Sequence, residues 1–369
     1  MAPTQGGTLR ITDLLEIEDM NAFHFTSAVV LASGVAGFSA QATADDFDIS
    51  MNTTSDRWMY PFNISPGTRP GGSVFGYVPY PVPAEQNFDN RDGQVIIAFD
   101  TTDLIETNAG VSNYRIDSLV VEITLSGQLS SPVDETTDDW KTYLPNSSKD
   151  WVPDSDAGRP IELFAAGFRF GYTRDTWADD APFSVTGPIG TLNRTVFSAE
   201  IMPDGSLDDV SSSFAAEFTP NPLAVATFPG YSPGDTAPEG AIARFEIDLT
   251  APENAGWVAE SLDAGRIIFA VTSLVTAAQG DATLTQFYLK ENPLVTAGAR
   301  DSASMAVVGA IEEGCPLTAD FTGDCQVNGA DLGLLLAAWG TDDPIYDLSG
   351  NNEVGGEDIG LLLAQFTSG

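Results

Sequence analysis

The chain has 369 residues, 43% of them hydrophobic and 18% charged, which is material for two or three domains of roughly 100 to 200 residues each. Its 53 Asp and Glu against 15 Lys and Arg give a net charge of −38, which disfavours binding to nucleic acid or an anionic membrane and makes divalent cations the better guests. With 35 Gly, 23 Pro and 21 Phe, the composition favours turns and β structure over helical bundles.

Residues 1–19 are polar and acidic and repeat no apolar face, so they are expected to come from a start codon placed too early. Met20 opens a second start: an apolar stretch over 25–38 and small residues spaced for cleavage at Ala40-Gln41-Ala42 predict a signal peptide over 20–42 and an extracellular or cell-surface protein. The stretch is too short to span a membrane, so no insertion of the mature chain is expected. Cleavage there removes Arg10 and four carboxylates, changing the charge from −38 to −35, and it also removes His24, the only histidine. A chain without histidine has no Ser-His-Asp or Cys-His nucleophile, no histidine base and no histidine-ligated metal. Carboxylate chemistry remains. Cys315 and Cys325, an even pair in an exported chain, read as a disulfide.

From 43 to 312, short apolar or alternating runs separated by Gly, Pro, Asn and Asp predict strands at 95–99, 118–125, 161–168, 223–228, 241–249, 266–274, 283–289 and 304–311, with a short helix at 257–263. Few helical patterns lie between them, so the expected fold is mainly β, an antiparallel sandwich of jelly-roll type. Long loops such as 131–160, or a second small sheet, must absorb the excess length. The succession 95–100, 116–123, 245–249, 257–259, 265–271 and 287–293 is similar to the DNRLRE-type β-sandwich of secreted bacterial proteins. That resemblance implies a non-catalytic jelly roll related in shape to carbohydrate-binding modules, and it assigns no functional residue.

Acidic clusters at Asp134, Glu135, Asp138 and Asp139, at Asp150, Asp154 and Asp156, at Asp179 and Asp180, and at Asp208 and Asp209 read first as solvated loops, with calcium ligation the sharper alternative. Trp58, Tyr60, Phe62, Phe75, Tyr77 and Tyr80 read as core, or as a platform for a polysaccharide. A glycosidase needs only two carboxylates at the right separation, but no pair is singled out and no catalytic residue is assigned.

The strongest signal is a duplication with a period of 27 residues. The stretch 320–331 (DFTGDCQVNGAD) precedes 332–339 (LGLLLAAW), and 347–358 (DLSGNNEVGGED) precedes 359–366 (IGLLLAQF). A twelve-residue calcium loop places oxygens at positions 1, 3, 5, 7, 9 and 12, the seventh through its backbone carbonyl. Copy one offers Asp320, Thr322, Asp324, Gln326 through its carbonyl, Asn328 and Asp331. Copy two offers Asp347, Ser349, Asn351, Glu353 through its carbonyl, and Asp358; it carries fewer charges and should hold calcium more weakly. Position 6, where glycine makes the sharp turn, is Cys325 in one copy and Asn352 in the other. A bridge to Cys315 could hold the first loop in shape. The leucine-rich helices that follow are expected to pack on each other through Leu334, Leu335, Leu336, Trp339, Leu361, Leu362, Leu363 and Phe366.

This loop-helix duplication over 313–369 resembles the dockerin module, in the variant reading GADLGLLLAAWG that is common among secreted planctomycete-like proteins. The resemblance implies a small all-α, calcium-binding assembly module whose partner is a cohesin-like protein; residues 329–330 and 356–357 differ from the Ser-Thr type pair of cellulosomal dockerins, so partner specificity does not carry over. Between Asp301 and the C-terminus there is no Lys or Arg against twelve Asp and Glu, so the segment should need calcium to fold. The alternatives to a tethered, non-catalytic binding protein are a subunit that assembles with copies of itself and a carboxylate glycosidase.

Overall fold

The computed structural model describes residues 44–61, 63, 65–76, 91–185, 193–276, 284–312, 317–322 and 326–366. The expected leader over 1–42, His24, Phe62, Tyr77, Tyr80, Cys315, Asp324 and Cys325 lie outside the described residues.

In chain order the strands and helices are β1 (Ala44–Asn52), β2 (Ser55–Met59), β3 (Gly71–Val74), β4 (Gln94–Asp100), β5 (Tyr114–Thr124), β6 (Glu162–Phe168), β7 (Val196–Ile201), β8 (Leu207–Asp209), β9 (Ala224–Val225), β10 (Ile242–Glu246), α1 (Pro252–Asp263), β11 (Arg266–Thr272), β12 (Thr285–Tyr288), α2 (Pro293–Thr296), β13 (Ser304–Glu312), α3 (Gly329–Ala337) and α4 (Gly356–Ala364). One sheet runs β1-β13-β5-β10, and a second runs β2-β4-β11-β6-β7-β8 with β9 against β6; β3 and β12 form a separate two-stranded ladder. These strands all pair antiparallel. The chain alternates between the sheets, through β4, β5 and β6 and again through β10, β11 and β13, so the fold is mainly β, an antiparallel jelly-roll-type sandwich followed by two small helices.

The first sheet has one wet face. Leu119, Val121 and Ile123 of β5 and Ala243 and Phe245 of β10 point inward, while Val120, Glu122, Arg244 and Glu246 alternate outward. The second sheet is buried on both faces, as its unbroken apolar runs require. Val95, Ile97 and Phe99 join the inter-sheet core with Ile267, Phe269 and Val271, whereas Ile96, Ala98, Ile268 and Ala270 meet a second cluster that includes Trp177 and Ala181. The segment 172–183 thus covers the outer face, and together with the β3–β12 ladder it accounts for part of the length that one sandwich does not need. Each large side chain buried in this way contributes about 1.5–3 kcal/mol.

Several expectations are corrected. The strand expected at 223–228 is only the two residues of β9, because Leu223, Ala226 and Phe228 face the core from irregular backbone. The helix begins at Pro252, not at 257: Pro occupies its first turn, where the missing N–H costs nothing. In β1, Phe47, Ile49 and Met51 alternate toward the core, a period hidden by the strand-averse Asp45, Asp46 and Asp48 between them. The first reading of Trp58, Tyr60 and Phe75 as core holds: Trp58 and Phe75 are buried with Tyr60 between them, at ring-centroid distances of 4.7 and 5.4 Å.

Two features tighten the sandwich. The β13 ladder slips register between Val308 and Gly309, where a Cβ would lie 2.3 Å from the Arg115 carbonyl oxygen and 2.7 Å from Phe47, so only glycine fits. Beneath the second sheet, the buried Arg91 pairs with Glu162 at 2.6 Å and donates to Thr272, the Val210 carbonyl and Ser213. Among the described residues no helix is long and apolar enough to cross a membrane.

Candidate metal centre

The duplicated loops fold as two copies of one device, and the period of 27 residues reappears in three dimensions. Val327 and Val354, Leu335 and Leu362, Phe321 and Leu348, and Leu332 and Ile359 occupy matched places in one small apolar cluster, closed by Ala319 and by Phe321 packing edge-on against Tyr346 at 4.9 Å. Position 8 of each loop, Val327 or Val354, is fully buried. Val354 also donates to the Thr341 carbonyl and accepts from Gly340, tying the second loop to the end of α3.

The last acidic residue of each loop is the third residue of the following helix, and it is fully buried. Asp331 accepts from Thr322 N and Thr322 Oγ1 at 2.9 Å on one oxygen, and from Asn328 N at 2.9 Å on the other. Asp358 repeats this with Ser349 N at 2.8 Å and Gly355 N at 2.6 Å. Burial alone would raise both carboxyls; the N–H donors of Asn328 and Thr322, and of Gly355 and Ser349, outweigh it and hold both below the usual Asp value. Asn328 turns its Oδ1 to Ala330 N at 2.8 Å and caps α3; Gly355 has no side chain with which to cap α4.

Oxygens of positions 1, 3 and 12 converge. Thr322 Oγ1 lies 3.2 Å from Asp320 Oδ1 and 2.9 Å from Asp331 Oδ1, and Ser349 Oγ lies 3.1 Å from Asp347 Oδ1. The Asp347 carboxylate also collects the N–H groups of Gly350, Asn351 and Asn352 at 2.7 to 3.2 Å, so the second loop curls around it. Asn352, at position 6, takes the left-handed conformation at φ 65°, which asparagine tolerates. Asn351 accepts from Glu353 N at 2.8 Å and donates to Glu357, and the side chains of Gln326 and Glu353 are exposed, as a carbonyl-donating position allows. A carboxylate that caps a helix needs no cation. The all-oxygen set with 3 Å edges nevertheless fits a hard cation such as Ca2+, whose ligands sit at about 2.3–2.6 Å. Asp320, Thr322 and Asp331 would hold it in the first loop, and Asp347, Ser349 and Asp358 in the second.

The helices depart from expectation. Of the eight apolar residues expected to pair them, only Leu335 and Leu362 are buried; Leu334, Leu336, Trp339, Leu361, Leu363 and Phe366 are 37–51% exposed. Each helix spans nine residues, about two and a half turns, and such a helix turns one narrow stripe inward. The exposed residues match across the repeat: Leu334 with Leu361, Leu336 with Leu363, Trp339 with Phe366. Sequence reading ranked all the leucines alike and missed this. Beside Leu334 an open groove of about 790 Å³ is lined by Ala337, Ala338, Pro344 and Tyr346 and by the carboxylates of Asp342 and Asp343.

No family model matches the chain, and no curated protein matches it. Among solved structures, the unassembled KI polyomavirus VP1 pentamer aligns with 76% of this chain and 97% of its own at 11% identity, with a TM-score of 0.20.

Proposed function

We propose that this is a secreted, non-catalytic modular protein: a β-sandwich that binds a polymer or builds surface structure, carrying a calcium-stabilised, dockerin-like tail that docks on a protein partner. The observation that carries this reading is the set of exposed apolar side chains on α3, α4 and the residues just after them, matched pair by pair across the duplication. Isolated surface leucines need no explanation, but six large apolar groups, four on two short helices and two just past their ends, in a chain this acidic, are costly to leave in water. Calcium in the loops would neutralise the acids at the start of each helix and present the apolar residues on a fixed frame. The partner is expected to offer an apolar face with few acidic groups, as a cohesin-like protein would. Self-assembly through the same residues is the second reading, since the groove beside Leu334 could receive an apolar residue of another copy.

Sedimentation and negative-stain microscopy of the purified chain, in calcium and in chelator, separate the two. Calcium-dependent filaments that vanish in a Leu336→Asp, Leu363→Asp variant support self-assembly. A calcium-loaded monomer that binds a cohesin-like protein, and loses it in the same variant, supports docking. A monomer that binds neither, and releases reducing sugar from a polysaccharide panel, overturns both in favour of a carboxylate glycosidase.

A further inference from the structure

The loop at 131–160 folds two of the acidic clusters onto each other. Its arms are anchored: Val133, fully buried in the inter-sheet core, donates to the Asp235 carbonyl and accepts from Gly234, both at 2.8 Å. Gly158, at φ 112°, crosses so close to the first arm that a Cβ would lie 2.5 Å from the Pro132 carbonyl oxygen. The crossing brings Asp134 and Asp138 of one arm against Asp154 and Asp156 of the other, with one carboxylate oxygen from each within 4.8 Å of the others.

Two of the four carboxylates, Asp138 and Asp154, share one guanidinium. Arg159 donates to Asp138 Oδ2 at 2.6 Å, Asp154 Oδ2 at 2.8 Å and Thr142 Oγ1 at 2.8 Å, and its plane lies 4.2 Å over the Tyr143 ring. Asp134 is not reached by it. Its Oδ1 accepts from Thr136 N and Thr136 Oγ1, and that hydroxyl lies 2.8 Å from Asp156 Oδ2. Its Oδ2 has no hydrogen-bond partner, although the residue is only 3% exposed. A carboxylate oxygen shut away from water with no donor is costly, and a cation is the partner that such an atom lacks.

We propose that Asp134, Asp138, Asp154 and Asp156 bind one Ca2+ ion that clamps the two arms of this loop to the sandwich. The donors are all oxygen, which excludes a soft metal. Calcium accepts six to eight oxygens in flexible geometry, with opposite ligands about 4.6–5.2 Å apart, so a set of oxygens that all lie within 4.8 Å of one another can close around it. The ion reduces the local charge from −3, four carboxylates less Arg159, to −1. This site stands independently of the tail loops.

The test uses the full chain and two readouts: calcium ions bound per chain by native mass spectrometry, and cleavage by a lysine-specific protease at Lys149, whose side chain is 90% exposed within this loop. At calcium ten times the midpoint of the effect, cleavage at Lys149 should slow about tenfold relative to chelator. The Asp134→Asn and Asp156→Asn variants should each bind one ion fewer and lose the protection; Asp156 is exposed, so its variant cannot fail for want of a core. An Asp331→Asn, Asp358→Asn chain should keep the protection. Equal cleavage with calcium and chelator in the unaltered chain, or undiminished ion count and protection in the Asp156→Asn chain, overturns the proposal.

Discussion

Single buried charges decide much of what this sandwich can tolerate. Glu162 is the carboxylate partner of Arg91, and both side chains are nearly inaccessible. The Glu162→Ala variant should lose about 3–5 kcal/mol of unfolding free energy, because it strands a guanidinium in the core; a loss of less than about 1 kcal/mol, read from urea unfolding, would contradict this. Asp56 gives a pH signature. Burial pushes its carboxyl from 3.8 up to about 7; the Lys290 N–H opposes this, while Glu291 and Asp179 add to it. The folded chain therefore holds this proton more tightly than the unfolded chain. The resulting stability is complete below about pH 4 and is lost as pH rises through about 7, at up to about 1.4 kcal/mol per pH unit. Asp56→Asn should flatten that part of the stability–pH curve, and an unchanged slope would exclude the assignment. Neither residue was legible in the sequence: Arg91 and Glu162 are 71 positions apart, and no periodicity joins them.

At the scale of elements, legibility followed the range of the interactions. The tail is built from contacts within a few tens of residues, so its repeat and its loops could be read from spacing alone. What spacing could not supply was which leucine of each Leu-Leu-Leu run faces inward, because nine-residue helices leave that to the partner surface. The structure makes a sharp division. Leu335→Ala or Leu362→Ala should cost about 2–5 kcal/mol and melt the tail. Leu336→Ala or Leu363→Ala should change stability by no more than about 0.5 kcal/mol. Circular dichroism melts of the four variants check both halves. In the sandwich, β4, β5, β6, β11 and β13 were legible from apolar runs or alternation. By contrast β2, β3, β7 and β8 were not, since their strand character comes from the neighbours they pair with.

The molecule as a whole carries a charge of −38, and the distribution is uneven: all its Lys and Arg precede residue 301. The sandwich has internal cations to set against its acids, as Arg91, Arg159 and Arg169 do. The tail has none, so its folding is expected to depend on bound calcium, and at high ionic strength partly on screening. The helical signal of the full chain should fall on adding chelator in dilute buffer, recover with calcium and recover only in part with 1 M monovalent salt. Equal signals in chelator and calcium would remove the dependence.

The pairing of β1 with β13, residue for residue from Ala44 with Glu312 to Asn52 with Ser304, joins the first and last strands of the sandwich. A ladder of such high contact order can close only after nearly the whole domain has left the ribosome. Until then β1 waits without its partner, and its Asp45, Asp46 and Asp48 become a safeguard against wrong association, since like charges keep unpaired strands apart. The tail needs only local contacts and bound calcium, and once the ion is present it can form within the time of helix and loop closure. The two parts of this chain therefore mature on different clocks, with the last part made ready to work before the first has found its place.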